Sequence, residues 1–436
     1  MNLHFALGDS MKINNDFTNE RVPNSARASL FTVTMINIGI MATLSQFLLG
    51  ATLGHSMTFS QAMLSTAIGS AILSFIGIGL GIIGAREGLT TSLLIRYCGF
   101  GNVGSTLVTV AIIISLLGWF GIQNSVFANA LNYLTNDKLG FSFSALLSGI
   151  MLTVMVSFGF RVLGFTAIIS IPLFFIVTGC IACNILNEFG LSKIRELYPS
   201  EIILTVGEGA TIVAGGYITA ALTMPDISRY CINERHAFWM VILSIIVGEF
   251  IINGFAVLIS QALNTEDIVT IMTQVAGWLG LASVILSTIK INNTNLYSST
   301  LSLACITENI LGKRYNYIIL TIILGVIGTL LYVLGILEKF TDFLTLLGVI
   351  FLPITGIILC DYYFFKKKTI IIEGEISPSS THLIKKIFSP ALISSIAGVI
   401  CGLNVEIGIQ SINSLVIASV LYCIITLIVK KRREIV

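Results

Sequence analysis

The sequence predicts an all-α polytopic membrane protein, and three features of its composition support that prediction. Of the 436 residues, 55% are hydrophobic, only 11% are charged, and the mean hydropathy is +0.94. Soluble domains carry about 25% charged residues. The formal net charge of +2 gives no strongly basic or acidic surface for a charged partner. The composition therefore excludes a soluble enzyme, a disordered protein and a nucleic-acid binder.

Apolar runs of the length that crosses a bilayer recur along the chain. A bilayer core requires about 20 apolar residues in a helix. Twelve such runs are predicted as transmembrane helices: 30–53, 60–83, 103–133, 143–159, 162–186, 202–222, 237–263, 279–306, 317–337, 341–364, 388–404 and 412–429. We therefore divide the chain into an N-terminal tail over 1–29, a transmembrane domain over 30–429 and a C-terminal tail over 430–436.

Basic residues are distributed unevenly between the two sides of these runs. With the N-terminus inside, nineteen of the 24 Lys and Arg residues fall in cytoplasmic segments and four fall in outside loops. An excess of Lys and Arg is typical of cytoplasmic loops. The N-terminal tail has no apolar stretch of the secretory type. We expect a multi-pass protein of the cell (inner or plasma) membrane, with both termini in the cytoplasm.

Two runs, the first and the sixth, are interrupted. Small and polar residues stand across the middle of the first run: Gly39, Thr43, Ser45, Gln46 and Gly50. The sixth run contains Ala-Gly-Gly-Tyr-Ile-Thr over 214–219. Non-helical backbone in a membrane persists only where it lines a cavity, and paired interrupted helices indicate an inverted-repeat transporter. The alternative is that these glycines let helices pack closely.

Aromatic residues near the middle of two runs are candidate substrate contacts. Trp119 stands between Gly118 and Gly121 about halfway along the third run, and Tyr217 lies in the sixth. Two aromatic faces suit a flat heterocycle, each contact contributing about 0.5–1.5 kcal/mol beyond burial. The alternative is ordinary packing, since aromatic residues in the middle of a span usually pack against other helices.

The eighth run contains a lysine among polar residues. Lys290 lies in the segment 287–295, about a dozen residues from either end of the run. Placing a lysine at that depth costs about 2.5–3.5 kcal/mol on insertion scales, so an intramembrane base is a functional candidate. The alternative is a lysine that reaches a hydrated crevice and has no part in the mechanism.

Seven short motifs stand at the ends of the apolar runs or within them. They are the segments 22–27, 50–54, 84–91, 118–121, 226–230, 295–299 and 361–363, which read VPNSAR, GATLG, GAREGLTT, GWFG, DISRY, NLYSS and DYY. Together they resemble the motifs of purine/cytosine permeases in the nucleobase–cation symporter family, most closely the bacterial cytosine permeases. The resemblance extends from Asp16 to about Lys366.

This resemblance implies a five-plus-five inverted repeat with broken first and sixth helices, followed by two C-terminal helices. It implies a base stacked between Trp119 and Tyr217, with the polar edge of the base held by Thr219 and by the backbone near Gly216. It also implies sodium bound by first-helix carbonyls, at Gly39 and Thr43, and by side chains of the eighth helix. The full set of candidate substrate contacts is Ser45, Gln46, Trp119, Gly216, Tyr217, Thr219 and Ser287.

The eighth run departs from the family pattern at the coupling site. Cytosine permeases have an asparagine where this chain has Ser287, and consecutive threonines where it has Lys290 and Ile291. We expect the Lys290 ammonium to occupy the sodium position and to bond the first-helix carbonyls. Proton binding and release would then replace sodium as the coupled event. A direct contact between Lys290 and an acidic or carbonyl-rich substrate is the alternative.

Together these features predict a secondary transporter, not an enzyme, that imports a nucleobase such as cytosine or a related pyrimidine or purine by alternating access. Hydantoins, allantoin, vitamin-like pyrimidines and amino acids are alternative substrates on the same fold. A membrane enzyme or sensor is the alternative class, but no span pairs an acid with a base or holds a metal cluster. We expect a monomer in the lipid bilayer without a resident cofactor, metal or nucleic-acid partner. The partner of Glu249, in the seventh run, is left open.

Overall fold

The computed structural model describes residues 17, 20–157, 161–197, 199, 203–313, 315–366, 389–405 and 407–435. The first part of the predicted N-terminal tail, up to residue 16, and the connection 367–388 lie outside the described residues.

Helices account for most of the described chain, as expected from the apolar runs. In chain order they are α1 (Leu30–Met41), α2 (Leu44–Ser56), α3 (Phe59–Glu87), α4 (Thr91–Ile95), α5 (Gly101–Leu134), α6 (Phe141–Ser157), α7 (Arg161–Phe189), α8 (Leu191–Glu196), α9 (Val206–Leu222), α10 (Met224–Ser228), α11 (Glu234–Ile245), α12 (Ile251–Leu263), α13 (Ile268–Leu311), α14 (Tyr317–Val333), α15 (Phe340–Cys360), α16 (Pro390–Asn404) and α17 (Gln410–Ile435).

The all-helical membrane architecture is confirmed by the length and composition of these helices. Among the described residues, seven helical segments are long and apolar enough to cross a membrane, and α1 with α2 forms an eighth as a bent pair. Four shorter apolar helices, α6, α9, α14 and α16, occupy the other predicted runs. Whether these four also cross the bilayer, and hence the count of twelve and the five-plus-five repeat, stays a prediction.

The predicted interruption of the first run is present. Helix α1 ends at Met41, α2 begins at Leu44, and the two axes differ by 54°. Ala42 and Thr43 between them have extended backbone, with ψ values of 90° and 159°. Because the last carbonyls of a helix have no donors within it, the end of α1 offers free acceptors in the middle of the span.

The predicted interruption of the sixth run at 214–219 is wrong. These residues lie inside the continuous helix α9, and the chain turns only at Thr223, before the short helix α10. The glycines serve close packing instead: a Cβ on Gly215 would lie 1.8 Å from the carbonyl oxygen of Leu344, and one on Gly216 would lie 2.4 Å from Leu49 Cδ1. Small residues that let helices approach closely are common at membrane helix interfaces.

The eighth run is longer than predicted and is kinked near its start. Helix α13 begins at Ile268 rather than near residue 279, and its backbone leaves helical geometry at Gly277, where φ is 55°. Glycine adopts positive φ without a Cβ penalty, so this kink requires no other special residue. The straight part of α13 carries the polar segment 287–295 past the break between α1 and α2.

The candidate site lies beside the α1–α2 break, among α5, α9 and α13. Helix α13 packs against α5 and α7, α9 packs against α3 and α15, and α2 packs against α12 and α9. The segment 20–29 lies across one end of the bundle, where Arg21 pairs with Glu87 at 2.8 Å and the Ala28 N–H donates to the Tyr230 carbonyl at 2.8 Å.

Candidate substrate and coupling site

A cavity of about 450 Å³ opens beside the α1–α2 break, between α5, α9 and α13; we call it the central cavity. Small-molecule sites typically have volumes of about 300–1,000 Å³. Six of the predicted substrate and coupling residues line it: Thr43, Ser45, Trp119, Gly216, Tyr217 and Thr219. The fold therefore brings together residues from three predicted runs that are far apart in the sequence.

Two aromatic side chains form part of its wall, and both are held by neighbours. The Trp119 ring meets Phe343 and Phe340 of α15 edge to face, with centroids 5.6 and 6.1 Å apart. The Tyr217 hydroxyl is hydrogen-bonded to Thr43 Oγ1 at 3.2 Å, across the break between α1 and α2. Both residues are buried, at 8% and 6% exposure. Rings fixed in this way present preformed surfaces for a flat ligand.

Polar groups stand around these rings, and sequence reasoning missed three of them. Gln123 Nε2 donates to Ser45 Oγ at 2.7 Å, and the hydroxyls of Ser115 and Thr219 are 3.2 Å apart. Asn295 also lines the central cavity, and its buried Nδ2 has no hydrogen-bond partner among the described residues. A buried donor without a hydrogen-bond partner is rare, so the Asn295 amide is a candidate ligand contact. The sequence predicts no role for Asn295 beyond its place in the polar segment 287–295 and in a family motif.

Four predicted residues do not line the central cavity. Gln46 is buried in α2, and its Nε2 has no partner among the described residues. Gly39 lies in the last turn of α1. Ser287 lines a separate small crevice with Lys290, so its side chain is placed beside the coupling residue rather than in the central cavity.

That crevice has a volume of about 10 Å³ and lies between the α1–α2 break, α7 and α13. A space of this size holds about one water molecule. Lys290 Nζ donates to the carbonyl oxygen of Gly39 at 2.7 Å. The buried hydroxyl of Ser170, on α7, also lines the crevice and has no partner among the described residues. Sequence reasoning missed Ser170, because a lone serine in an apolar run carries no signal.

The position of the amine is explained by the end of α1. Gly39 O is exposed to a partner because the chain leaves the helix at Ala42, so no backbone N–H of the next turn reaches it. The C-terminal end of a helix carries partial negative charge and favours a cation. The Lys290 ammonium therefore compensates a broken helix end, in the place where the family resemblance implies a metal cation.

The central cavity reaches the surface at the end of the bundle covered by the segment 20–29. Ser92, at the start of α4, is exposed and lines the cavity together with Asp226 of α10. Asp226 Oδ1 accepts the Thr91 N–H at 3.0 Å. Burial raises the pKa of the Asp226 carboxyl above its usual range, and the bond from Thr91 opposes that shift. Within the described residues no group of three or more His, Cys, Asp or Glu side chains could hold a metal ion.

A bundle of apolar helices with a bent span, and an aromatic and polar cavity beside the bend, has the architecture of a secondary transporter. The family comparison agrees. A model of the family described as permeases for cytosine/purines, uracil, thiamine and allantoin matches residues 21–425. The chain belongs to this family, which confirms the resemblance seen in the sequence motifs. It is a family of membrane permeases and not of enzymes.

Individual relatives agree with the family. The chain is 29% identical over 362 residues to the cytosine permease of Escherichia coli K12, covering 82% of this chain and 83% of the relative. It is 24% identical over 430 residues to a purine-uracil permease, NCS1, of Arabidopsis thaliana, covering 89% of this chain and 70% of the relative.

Solved structures show the same fold. The inward-facing conformation of Mhp1 superposes with a TM-score of 0.79 at 17% identity, covering 94% of this chain and 93% of that one. A closed conformation of Mhp1, a nucleobase-cation-symport-1 family transporter with bromovinylhydantoin bound, gives a TM-score of 0.72 at 17% identity, with 93% of each chain covered.

Proposed function

We propose that this permease imports a nucleobase, such as cytosine or a related pyrimidine or purine, by alternating access. The observation that carries the proposal is the central cavity, where Trp119 and Tyr217 line the same space as Thr219 and the unpaired amide of Asn295. Planar bases carry donors and acceptors around their edge, and that combination of rings and polar groups suits them. The relatives that are cytosine and purine-uracil permeases support the same substrate class.

A hydantoin or allantoin is the second candidate substrate. The family description includes allantoin, and the Mhp1 structure with a TM-score of 0.72 contains a bromovinylhydantoin. These five-membered rings are flat and carry carbonyl and N–H groups, as nucleobases do. Ser287 stands where cytosine permeases have an asparagine and lies outside the central cavity, which leaves the polar edge to Thr219 and Asn295.

We further propose that transport is coupled to protons rather than to sodium. Three features support this: the 2.7 Å bond from Lys290 Nζ to Gly39 O, the roughly water-sized crevice beside it, and Ile291, which has no oxygen with which to bind a metal ion. A fixed ammonium would repel a sodium ion bound a few ångströms away. Protonation of the Lys290 amine then takes the place of sodium binding at this position.

With both termini in the cytoplasm, as the basic residues predict, the cavity opening at Ser92 faces the cytoplasm. The arrangement described here then corresponds to an inward-open state. The protein is proposed to act as a monomer in the cell membrane, because one chain supplies every group of the cavity and the crevice.

Counterflow in proteoliposomes tests this function directly. Proteoliposomes that contain the purified protein and are loaded with unlabelled base should take up labelled cytosine, uracil, hypoxanthine or hydantoin by exchange in sodium-free buffer. An inward proton gradient should drive accumulation of the same base. Exchange of none of these compounds would reject the substrate class. Uptake that strictly requires sodium would reject proton coupling while leaving the substrate class intact.

A further inference from the structure

A second ionisable side chain is buried midway along the bundle, in a turn that packs against the end of α1. Glu249 lies in a π-helical turn, Ile246–Phe250, between α11 and α12, near the middle of a continuous 30-residue apolar segment. Its side chain has 0% exposure. An ionisable residue at this depth is a functional candidate by default, and the substrate and coupling site described above makes no use of it.

The carboxyl group of Glu249 has only neutral partners. Ser70 Oγ of α3 donates to Oε2 at 2.6 Å, and Asn253 Nδ2 of α12 donates to Oε1 at 3.2 Å. No Lys, Arg or His lies within ion-pair distance of it among the described residues. These contacts answer the question that the sequence left open: the partner of Glu249 is not a base.

The helices packed against this turn bring no charge near it. These are α1, α3, α11 and α12. Neither α1 nor α12 contains a charged residue; those of α3 are Arg86 and Glu87 at its far end, and those of α11 are Glu234, Arg235 and His236 at its start. Arg86 pairs with Glu234, and Glu87 pairs with Arg21. The Tyr217 phenol of α9 also lies within electrostatic range of Glu249.

This environment suits an uncharged acid better than a carboxylate. An ionised carboxylate removed from water without a cation carries a large desolvation cost, which two neutral hydrogen bonds offset only in part. Serine hydroxyls and asparagine amides can accept as well as donate, so they satisfy a protonated carboxyl equally well. The geometry around Glu249 therefore fits a side chain that carries a proton in this state.

The same turn lies directly against the break in the first span. A Cβ on Gly248 would lie 2.7 Å from Met41 Cβ and 3.2 Å from the Ala42 backbone nitrogen. The end of α1 thus accepts a hydrogen bond from Lys290 of α13 and is also contacted by the turn that carries Glu249. Any movement of this break would change the packing, and with it the access of water, at Glu249.

We propose that Glu249 is a second proton-binding site of the transport cycle. It holds a proton while the α1–α2 break packs against it, and it exchanges that proton with water when the break moves. This inference rests on the proposed function, because it concerns the number of protons that cross the membrane with each substrate. Glu249 adds one proton to that number.

The test is the ratio of protons to substrate, measured from the reversal potential of uptake in proteoliposomes. Glu249→Gln, a neutral side chain of the same shape, should retain counterflow and lower the ratio by one proton per substrate. Glu249→Asp, which keeps an acid, should retain the wild-type ratio at a reduced rate. Glu196→Gln is the matched control, because Glu196 is exposed at the end of α8 and lines neither the central cavity nor the one beside α2, and it should change neither quantity.

Four results would overturn the inference. They are an unchanged ratio in Glu249→Gln, the loss of one proton in Glu249→Asp as well, and a ratio that depends on sodium instead of pH. The fourth is a Glu249→Gln protein that does not fold, since a neutral amide should be tolerated where a neutral acid is proposed. If wild-type protein exchanged no nucleobase, the proposed function would fail instead, so the two failures are distinguishable.

Discussion

Trp119 and Tyr217 illustrate how single residues give the cavity its shape. The indole of Trp119 is fixed by two phenylalanines of α15, and the phenol of Tyr217 is fixed by Thr43 at the break in the first span. Neither ring has to be ordered when a substrate arrives, so little conformational entropy is lost on binding. Much of the affinity for a flat base should therefore come from these rings.

Trp119→Ala should weaken binding of the preferred base about twofold to tenfold, because stacking contributes about 0.5–1.5 kcal/mol beyond burial and 1.4 kcal/mol is a factor of ten. The base that most raises the melting temperature of the purified protein serves as ligand, and its Kd is measured by titration calorimetry. Trp278→Ala is the control, since Trp278 is 76% exposed on the same bundle. Equal effects of the two substitutions would contradict a stacking role.

Lys290→Met should lower the ratio of protons to substrate by one but leave counterflow, because the amine bonds Gly39 O and stands outside the wall of the central cavity. Lys290→Thr should also lose this proton, and it restores an oxygen with which sodium could be bound. Lys339→Met, at an exposed lysine, serves as the control in both assays. An unchanged ratio of protons to substrate in Lys290→Thr would contradict the coupling role.

At the residue scale, the sequence identified groups that break a general rule and missed groups that do not. A lysine within an apolar run raises the free energy of membrane insertion whichever way its side chain points, so Lys290 can be identified as a functional candidate from the sequence alone. Ser170 and Gln123 are small or polar residues of kinds that occur in many membrane helices for packing. Only the fold shows that Ser170 faces the same crevice as Lys290 and that Gln123 bonds Ser45.

At the scale of helices, glycine and polar residues correctly predicted a break in the first span and wrongly predicted one at 214–219 in the sixth. Glycine and polar residues can either open a helix or let another helix approach, and their spacing in the sequence is the same in both cases. The first span opens at Ala42 and Thr43, whereas Gly215 in α9 accommodates the backbone of α15. The kink at Gly277 was missed because a single glycine among 39 carries no directional signal.

Gly215→Ala should destabilise the protein by about 1–3 kcal/mol, because overpacking a tight interface forces the backbone to shift. The added Cβ would lie 1.8 Å from Leu344 O. Gly179→Ala in α7 is the matched control: no heavy atom lies within 4 Å of its Cβ position, and alanine favours a helix over glycine by about 0.8–1.0 kcal/mol. Denaturant unfolding in detergent measures the free energy of unfolding of both variants. Equal stabilities would show that α9 and α15 pack less closely than the 1.8 Å distance implies.

Across the whole molecule, two cavities lie along the first span, toward opposite ends of the bundle. Thr43 and Ser45, at the break and at the start of α2, line the central cavity. Thr52 and Ser56, further along α2, line a second cavity of about 350 Å³, which also contains Glu266 and Asp267 before α13. A small rotation of α2 against α5 and α13 could close one cavity and open the other, as alternating access requires.

This arrangement predicts opposite labelling of two positions. In a variant whose eight native cysteines are replaced by serine, a cysteine at Ser92 should react with a membrane-impermeant thiol reagent from the cytoplasmic side. A cysteine at Thr52 should react only from the outside. Ser92 is exposed at the mouth of the central cavity, whereas Thr52 is 6% exposed in the opposite one.

The two labelling rates should also change in opposite directions. A minor outward-open state populated at about 0.1–10% makes labelling of Thr52→Cys at least about tenfold slower than labelling of Ser92→Cys. Outside substrate with an inward proton gradient moves the protein through that state, so it should speed labelling at position 52 and slow it at position 92. Rates that change together would mean that both cavities open to water at once, which a coupled transporter cannot allow because its gradients would leak.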